Sequence, residues 1–268
     1  MNRRQLSLAL AAAALAAPSL RAAPLATPSL EAMAAESQRT ATNRVRDPWR
    51  HPAETLAFWG LAPGMTVVEI DPAGGYWTEI LAPYLKASGG RYIAAVGGDP
   101  AAFKARYADA ATWGAIEVVP FGGHAGVLAA PRSADMVITA RNIHDWMWTP
   151  GELDDHLAAF RAALKPAALL AVEEHRADPR PMIGDAHDGY VATAWLTAAV
   201  EKAGFRLDGA SEINANPKDD KNHPFGVWTL PPTRRTHAKD QPTPPGFDAA
   251  KYDAIGESDR MTLRFRKV

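Results

Sequence analysis

The sequence predicts an α/β fold built on a mostly parallel β-sheet with helices on both faces. Three observations carry that expectation. Between Thr66 and Lys165, short β-branched runs alternate with stretches of helical periodicity, the pattern of successive βαβ units. The first strand-like run leads straight into a Gly-Gly turn, in "VVEIDPAGGYWTEIL" from Val67 to Leu81. The chain has 268 residues, 47% hydrophobic and 22% charged, which suits one large core.

The elements follow in order. "MNRRQLSLALAAAALAAPSLRAAP" has a charged start, an apolar run and small residues near Ala22–Ala23, so residues 1–23 read as an export signal. The Arg3-Arg4 pair suggests the twin-arginine route. Residues 24–46 read as a linker with an N-terminal helix, and residues 47–268 as the main domain. Leu56, Phe58 and Trp59 close a short apolar helix before Gly60, and Pro63-Gly64 turns the chain into the first strand, "MTVVEI". After the Gly-Gly turn, Ile80, Leu81, Tyr84 and Leu85 share a helix face, with Pro83 expected to kink it.

"RYIAAV" is the second strand, "AAFKARYADAATW" a helix, "IEVVPF" the third strand and "ADMVITARNIH" the fourth. Leu153, Leu157, Phe160 and Leu164 fall at helical spacing before a fifth strand, "ALLAVEEHR". A helix over roughly Tyr190 to Ala203 precedes a sixth strand, "GFRLDGASEI", and "MTLRFRKV" closes the chain as a seventh. Residues 214–247 interrupt this order with seven prolines. Phe225, Val227, Trp228 and Leu230 make the first half an ordered wall or lid; Thr233 to Phe247 reads as a mobile linker.

Composition excludes several functions. With 29 basic and 30 acidic residues the chain lacks the positive excess of a nucleic-acid binder. Beyond the N-terminus no apolar run is long enough to span a bilayer, so no stable membrane insertion is expected after signal removal. The absence of cysteine excludes thiol catalysis, thiolate–zinc sites and disulfides. Oligomeric state is not legible.

In parallel sheets, ligands bind beyond the carboxyl ends of the strands, where strand order switches. The loop from Asp71 to Trp77 lies at such an end. Gly74 and Gly75 allow close backbone approach, and the next helix offers free N–H groups. Glu69 is placed to bond that loop or a ligand amine. The same residues also suit a tight corner with no ligand. The fourth strand ends in "RNIHDWMW": Arg141 and Asn142 are candidates to fix a polar substrate, His144 to act as base beside Asp145, and Trp146 and Trp148 to wall the ligand. The fifth ends in "EEHRA", contributing Glu174, His175 and Arg176. His144, His175 and an acid are potential metal ligands, but their spacing matches no metal motif and no metal is assigned. Asn214, Asn216 and Asp219 in "SEINANPKDD" are further pocket candidates, as are Glu257, Ser258, Asp259 and Arg260 in "GESDRM", although either run reads more simply as a solvated turn.

The succession "DPWRHPAETLAFWGLAPGMTVVEI", "GGYWTEILAPYL", "RNIHDW", "EEHRA", "SEINANPKDD", "HPFGVWTLPP" and "GESDRMTLRF" resembles a family of class I methyltransferase-like proteins, many with export signals. The resemblance covers nearly the whole chain beyond the signal. It implies a Rossmann-like, three-layer, seven-stranded sheet with the last strand antiparallel, binding S-adenosylmethionine and methylating a small molecule. Glu69, Asp71, Gly74, Gly75, Tyr76 and Trp77 would then hold the methionine end, and an acid after the second strand the ribose. Here Gly97 and Gly98 occupy that acid's position and Asp99 follows late; Asp71 and Ala73 stand where such loops carry glycine. The signal implies a periplasmic location, which makes a ligand-binding protein of the same fold, or less directly a metal-assisted hydrolase, the alternative reading.

Overall fold

The computed structural model describes residues 27–123, 126–182 and 186–268. The export-signal reading of residues 1–23 lies outside them. Among the described residues there are eight strands: β1 Thr66–Ile70, β2 Arg91–Val96, β3 Ile116–Pro120, β4 Ala134–Ala140, β5 Leu164–Ala177, β6 Val191–Ala192, β7 Phe205–Ser211 and β8 Arg260–Lys267. Seven form one path in the order β3-β2-β1-β4-β5-β8-β7, and the two-residue β6 adds only to the end of β5. The pairs from β3 to β5 are parallel, and β8 runs antiparallel to both β5 and β7. This is the expected sheet, with its order switching between β1 and β4.

Period-two alternation along β1 divides the core. Val68 and Ile70 join Leu157, Phe160, Leu196 and Val200 on one face, and Val67 joins Leu56, Trp59, Ile80 and Leu81 on the other. Both layers exclude solvent, so β1 is buried along its whole length, as parallel strands covered on two faces are. Glu69 shares the face of Val67 and is the one charge on that strand.

Four local expectations change. The stretch 101–113 is two helices, Pro100–Arg106 and Ala110–Trp113, because Asp109 accepts from the Ala111 N–H and starts a new helix. Leu164 begins β5 rather than ending the helix Glu152–Ala163, pairing with Ala134. The helix after β6 starts at Thr193, since Val191 and Ala192 extend the sheet beside Arg176 and Ala177. Residues 30–46 are more than a linker. They contain the helices Leu30–Ala35 and Ala41–Arg44, and Arg39 pairs with Asp47 while the Thr40 N–H donates to Glu79.

The proline-rich segment splits as its composition implies. In its first half Val227 and Leu230 are buried, and the Val227 N–H donates to the Asp188 carbonyl at 2.9 Å. Gly226 permits that contact: a Cβ there would meet the Asp188 backbone at 2.1 Å. The stretch from Thr233 to Gly246 is mostly exposed. Phe247 packs on Tyr252 of the helix Ala249–Ile255. Among the described residues, no helix is long and apolar enough to cross a membrane.

Candidate functional site

The carboxyl ends of β1, β2, β4 and β5 carry three connected features. The first is the loop after β1. Asp71, Ala73 and Gly75 all adopt left-handed backbone, with φ of 42°, 43° and 75°. The alternating geometry usually given to glycines is therefore retained by two residues with Cβ atoms, at a cost of about 1–2 kcal/mol each. Strain kept in place at a strand end is a mark of a site.

The Asp71 carboxylate lies over Gly97 at the end of β2; a Cβ on Gly97 would meet its Oδ1 at 3.1 Å. Burial raises the Asp71 pKa, and the Gly97 N–H opposes that rise. Asp71, Ala73, Gly97, Asp99, Phe103 and Arg106 are among the residues lining a cleft of about 260 Å³. Asp99 is exposed and its carboxylate caps its own helix through the Ala101 N–H, 2.8 Å away.

Other members of the loop face inward. Glu69 is buried, and its Oε2 accepts from Thr78 Oγ1 and the Tyr92 hydroxyl. Burial pushes its pKa up to about 7, against the pull of those two bonds. It staples the loop to the following helix and to β2; it does not face a ligand. Gly75 is required by Tyr107, whose hydroxyl would lie 1.7 Å from a Cβ at that position. Around Gly74 a Cβ would meet nothing within 4 Å. Trp77 is buried against Trp59, and Tyr76 donates its hydroxyl to Asp47. Of the cofactor-binding residues expected from sequence, Asp71 and Gly74 thus front the opening, Asp99 lies at its edge, and Glu69, Gly75, Tyr76 and Trp77 build the wall behind.

The second feature is an imidazole pair after β4 and β5. Glu174, fully buried, organises it. Its Oε2 accepts from the Ile143 and His144 N–H groups, and its Oε1 accepts from the His175 N–H and from His144 Nδ1 at 2.9 Å. A carboxylate only accepts, so Nδ1 carries hydrogen and Nε2 of neutral His144 keeps its lone pair. Asp145 Oδ1, on an exposed side chain, is 3.5 Å from Nε2. Burial lowers the His144 pKa, but Glu174 and Asp145 outweigh it and the net shift is upward.

His175 moves the other way. Burial, then the positive charges of His144 and Arg141, hold it well below its usual value, and its Nδ1 meets Ser258 Oγ. The rings of His144 and His175 are 5.2 Å apart, and Trp228 from the proline-rich wall approaches His144 at 5.8 Å. Trp148, 47% exposed, stands beside Trp228. Ligand atoms of His144, Glu174 and His175 lie within 4.8 Å of one another. Both Glu174 oxygens, however, are already engaged by backbone N–H groups, which argues for a role in orienting histidine rather than holding metal.

Several expected substrate contacts are structural. Trp146 is buried against Phe121, His156 and Phe160. Arg176 is held by Asp259 and Glu212. Asn214 bonds Thr55, Thr262 and His51, while Asn216 donates to the Ile255 and Glu257 carbonyls. These amides lock the segment after β7 to the start of β8. Asn142 donates to the Ile70 carbonyl, tying the β4 end to the β1 end at the switch point.

The third feature takes in the run that the sequence offered as pocket residues but more simply as a solvated turn. "GESD" is no solvated turn: Glu257, Ser258, Asp259 and Arg260 are all buried. Glu257 receives Arg46 Nε at 2.6 Å, Arg50 Nε at 2.8 Å and Arg260 Nη1 at 2.9 Å. Arg260 Nη1 also lies 2.7 Å from Glu173 Oε1, without the angles of a hydrogen bond. Arg50 lies 4.6 Å over the Tyr76 ring. Arg141, left-handed at φ 62°, follows β4 close enough for the charges of Glu257 and Glu173 to act on it. Burial alone would raise the Glu257 pKa, but Arg50, Arg260, Arg46 and Arg141 bring it far below the carboxylate range. A signal in the sequence that was missed is Arg46 and Arg50, four residues apart around Trp49, a spacing that puts both on one face.

No family model matches the chain, and no curated protein matches it. Solved structures do. A S-adenosylmethionine-dependent methyltransferase from Aquifex aeolicus is similar at 15% identity and TM-score 0.56, over 83% of this chain and 93% of that one. The [4+2]-cyclase SpnF is similar at 13% identity and TM-score 0.57, over 87% and 84%. A Burkholderia thailandensis 1,6-didemethyltoxoflavin N1-methyltransferase with bound S-adenosylhomocysteine is similar at 14% and TM-score 0.50, over 85% and 84%. At these identities the likeness concerns the fold, and on sheet order and likeness together the chain has the Rossmann-like fold of the class I methyltransferases.

Proposed function

We propose that this protein transfers a methyl group from S-adenosylmethionine to a small-molecule acceptor. The observation that carries this reading is the left-handed backbone at Asp71, Ala73 and Gly75, kept at the β1 end despite two non-glycine residues. The donor set suits the cofactor. The cleft at the β1 and β2 ends is smaller than a whole-ligand pocket and matches one part of the molecule, its nucleoside. Asp71 brings a carboxylate to the place left empty by Gly97, where it would accept from ribose hydroxyls. The Gly74 carbonyl takes the Asn43 amide, and the space beside its Cα, where a Cβ would meet none of the described residues within 4 Å, leaves room for the amino-acid end.

When bound, S-adenosylmethionine supplies a methyl carbon on a sulfonium leaving group. The protein's task is then alignment and proton removal. Glu174 fixes His144 with Nε2 as the acceptor atom, and Nε2 takes the proton of the acceptor's hydroxyl or amine. Trp148 and Trp228 restrict water at that mouth. The same residues would serve a binding protein of this fold; SpnF, a cyclase, illustrates that the fold carries other chemistry. Export through residues 1–23 to the periplasm belongs to this proposal. A chain that leaves the cytoplasm folded and loaded would complete one turnover, and cell fractionation of the tagged protein tests the location.

The test of the cofactor assignment is thermal unfolding with S-adenosylhomocysteine, on wild type, Asp71→Asn and Asp99→Asn. Wild type gains stability with ligand, Asp71→Asn loses roughly tenfold or more in affinity, and Asp99→Asn changes little. Equal losses in both variants, or no shift in wild type, contradict the assignment.

A further inference from the structure

Three guanidinium groups, Arg46, Arg50 and Arg260, pair with Glu257, the last also meeting Glu173, and the charge of Arg141 lies within electrostatic range of both carboxylates. The mismatch is visible atom by atom. Arg50 is fully buried, yet among the described residues its Nη1 and Nη2 have no hydrogen-bond acceptor, and neither do Arg46 Nη2, Arg141 Nε or Arg260 Nε. Buried polar groups are nearly always satisfied, and leaving charged donors bare is the more costly case. Burial and the neighbouring positive charges drive the Arg50 and Arg141 pKa values down, the sign of charge in excess of its local compensation. Arginine does not lose its proton in response, so the excess persists.

The location gives the excess a meaning. Arg141 follows β4 and is three residues from His144 in the chain, and its charge acts on both His144 and His175. Arg50 and Arg46 come from the N-terminal helices and lie over Tyr76 of the β1 loop. The cluster therefore adjoins the imidazole pair and the loop at once.

We propose that Arg46, Arg50 and Arg141 seat an acid group, carboxylate or phosphate, of the methyl acceptor, which is thus an anionic small molecule. This rests on the methyl-transfer reading for the word acceptor. Guanidinium groups match both oxyanions through paired N–H donors. The other source of a carboxylate is the methionine end of the cofactor. S-adenosylmethionine also carries an ammonium and a sulfonium, so its net charge is positive, and a pocket with surplus arginine gains less from it than from an anion. An acid group held here would bring the rest of the acceptor beside His144.

Calorimetric titration of the purified chain with inorganic phosphate at constant ionic strength is the test. Saturable binding is expected, unchanged within about twofold when the protein is first saturated with S-adenosylhomocysteine. Arg141→Met, partly exposed and the least tied by ion pairs, is expected to weaken phosphate roughly tenfold or more while leaving S-adenosylhomocysteine affinity in place. Absence of phosphate binding to wild type overturns the proposal. So does competition between phosphate and S-adenosylhomocysteine, which would give the cluster to the cofactor's carboxylate. Phosphate binding without any S-adenosylhomocysteine binding would keep the anion seat but remove the methyl-transfer reading and, with it, the acceptor.

Discussion

The loop after β1 and the cluster behind β4, β5 and β8 meet at the carboxyl end of the parallel strands, where Asn142, next to Arg141 in the chain, donates to the Ile70 carbonyl. They are built from different materials. The loop stores backbone strain in a half-open cleft, with Asp71 partly exposed and Gly74 facing empty space. The cluster stores buried charge, with Arg50, Glu173, Glu257 and Arg260 shielded from solvent. Strain of the first kind costs little and can be relieved by a glycine. Charge of the second kind is costly to disturb, because removing one partner leaves others bare in a low-dielectric interior. On the two proposals above, the loop would recognise shape and the cluster charge.

The largest effect should come from Glu257→Gln. Three arginines lose their shared carboxylate, and stability should fall by about 3–5 kcal/mol. Asp71→Asn, on the other side of the comparison, should stay within about 0.5 kcal/mol. Denaturant unfolding measures both, and similar losses would erase the distinction.

Glu69 sharpens it through pH. Its folded pKa, pushed up to about 7, exceeds the unfolded carboxyl value. Its neutral form is therefore favoured by folding. The stabilisation is complete below the unfolded pKa and is lost as pH rises through about 7. Glu69→Gln, which still accepts from Thr78 and Tyr92, should be more stable than wild type at pH 8 by on the order of 2–3 kcal/mol, and similar to it at pH 4. Unfolding midpoints at the two pH values check this; a gain at pH 4 alone would reverse the sign.

The smallest effect concerns the strain. Ala73→Gly relieves a left-handed alanine but loosens the unfolded chain, for a net gain of roughly 0.5–1 kcal/mol. A loss of stability would mean that the loop geometry is not strained.

What the sequence disclosed follows the same division. The succession of strands along the chain, the β1 loop and the polar ends of β4 and β5 were legible, because hydrophobic period and glycine punctuation are local signals. Asp71 was visible as a candidate, although not its reach to Gly97, which depends on how β2 sits beside β1. Arg141 and the run 257–260 were visible as candidates, but their meeting with each other, with Glu173 and with residues 46–50 was not, because these segments lie far apart in the chain. A buried ion network has no periodicity, and "GESDR" in isolation has the composition of a surface turn. Trp146, Arg176, Asn214 and Asn216 misled for the converse reason: polar and aromatic residues near strand ends serve packing and locking as readily as binding.

The most direct measurement is equilibrium dialysis of the purified chain against S-adenosylmethionine labelled in its methyl group. Saturation near one molecule per chain, displaced by S-adenosylhomocysteine, is the result predicted by a cofactor site at the β1 loop. No retained label at saturating concentration would contradict methyl transfer and leave the fold serving another ligand.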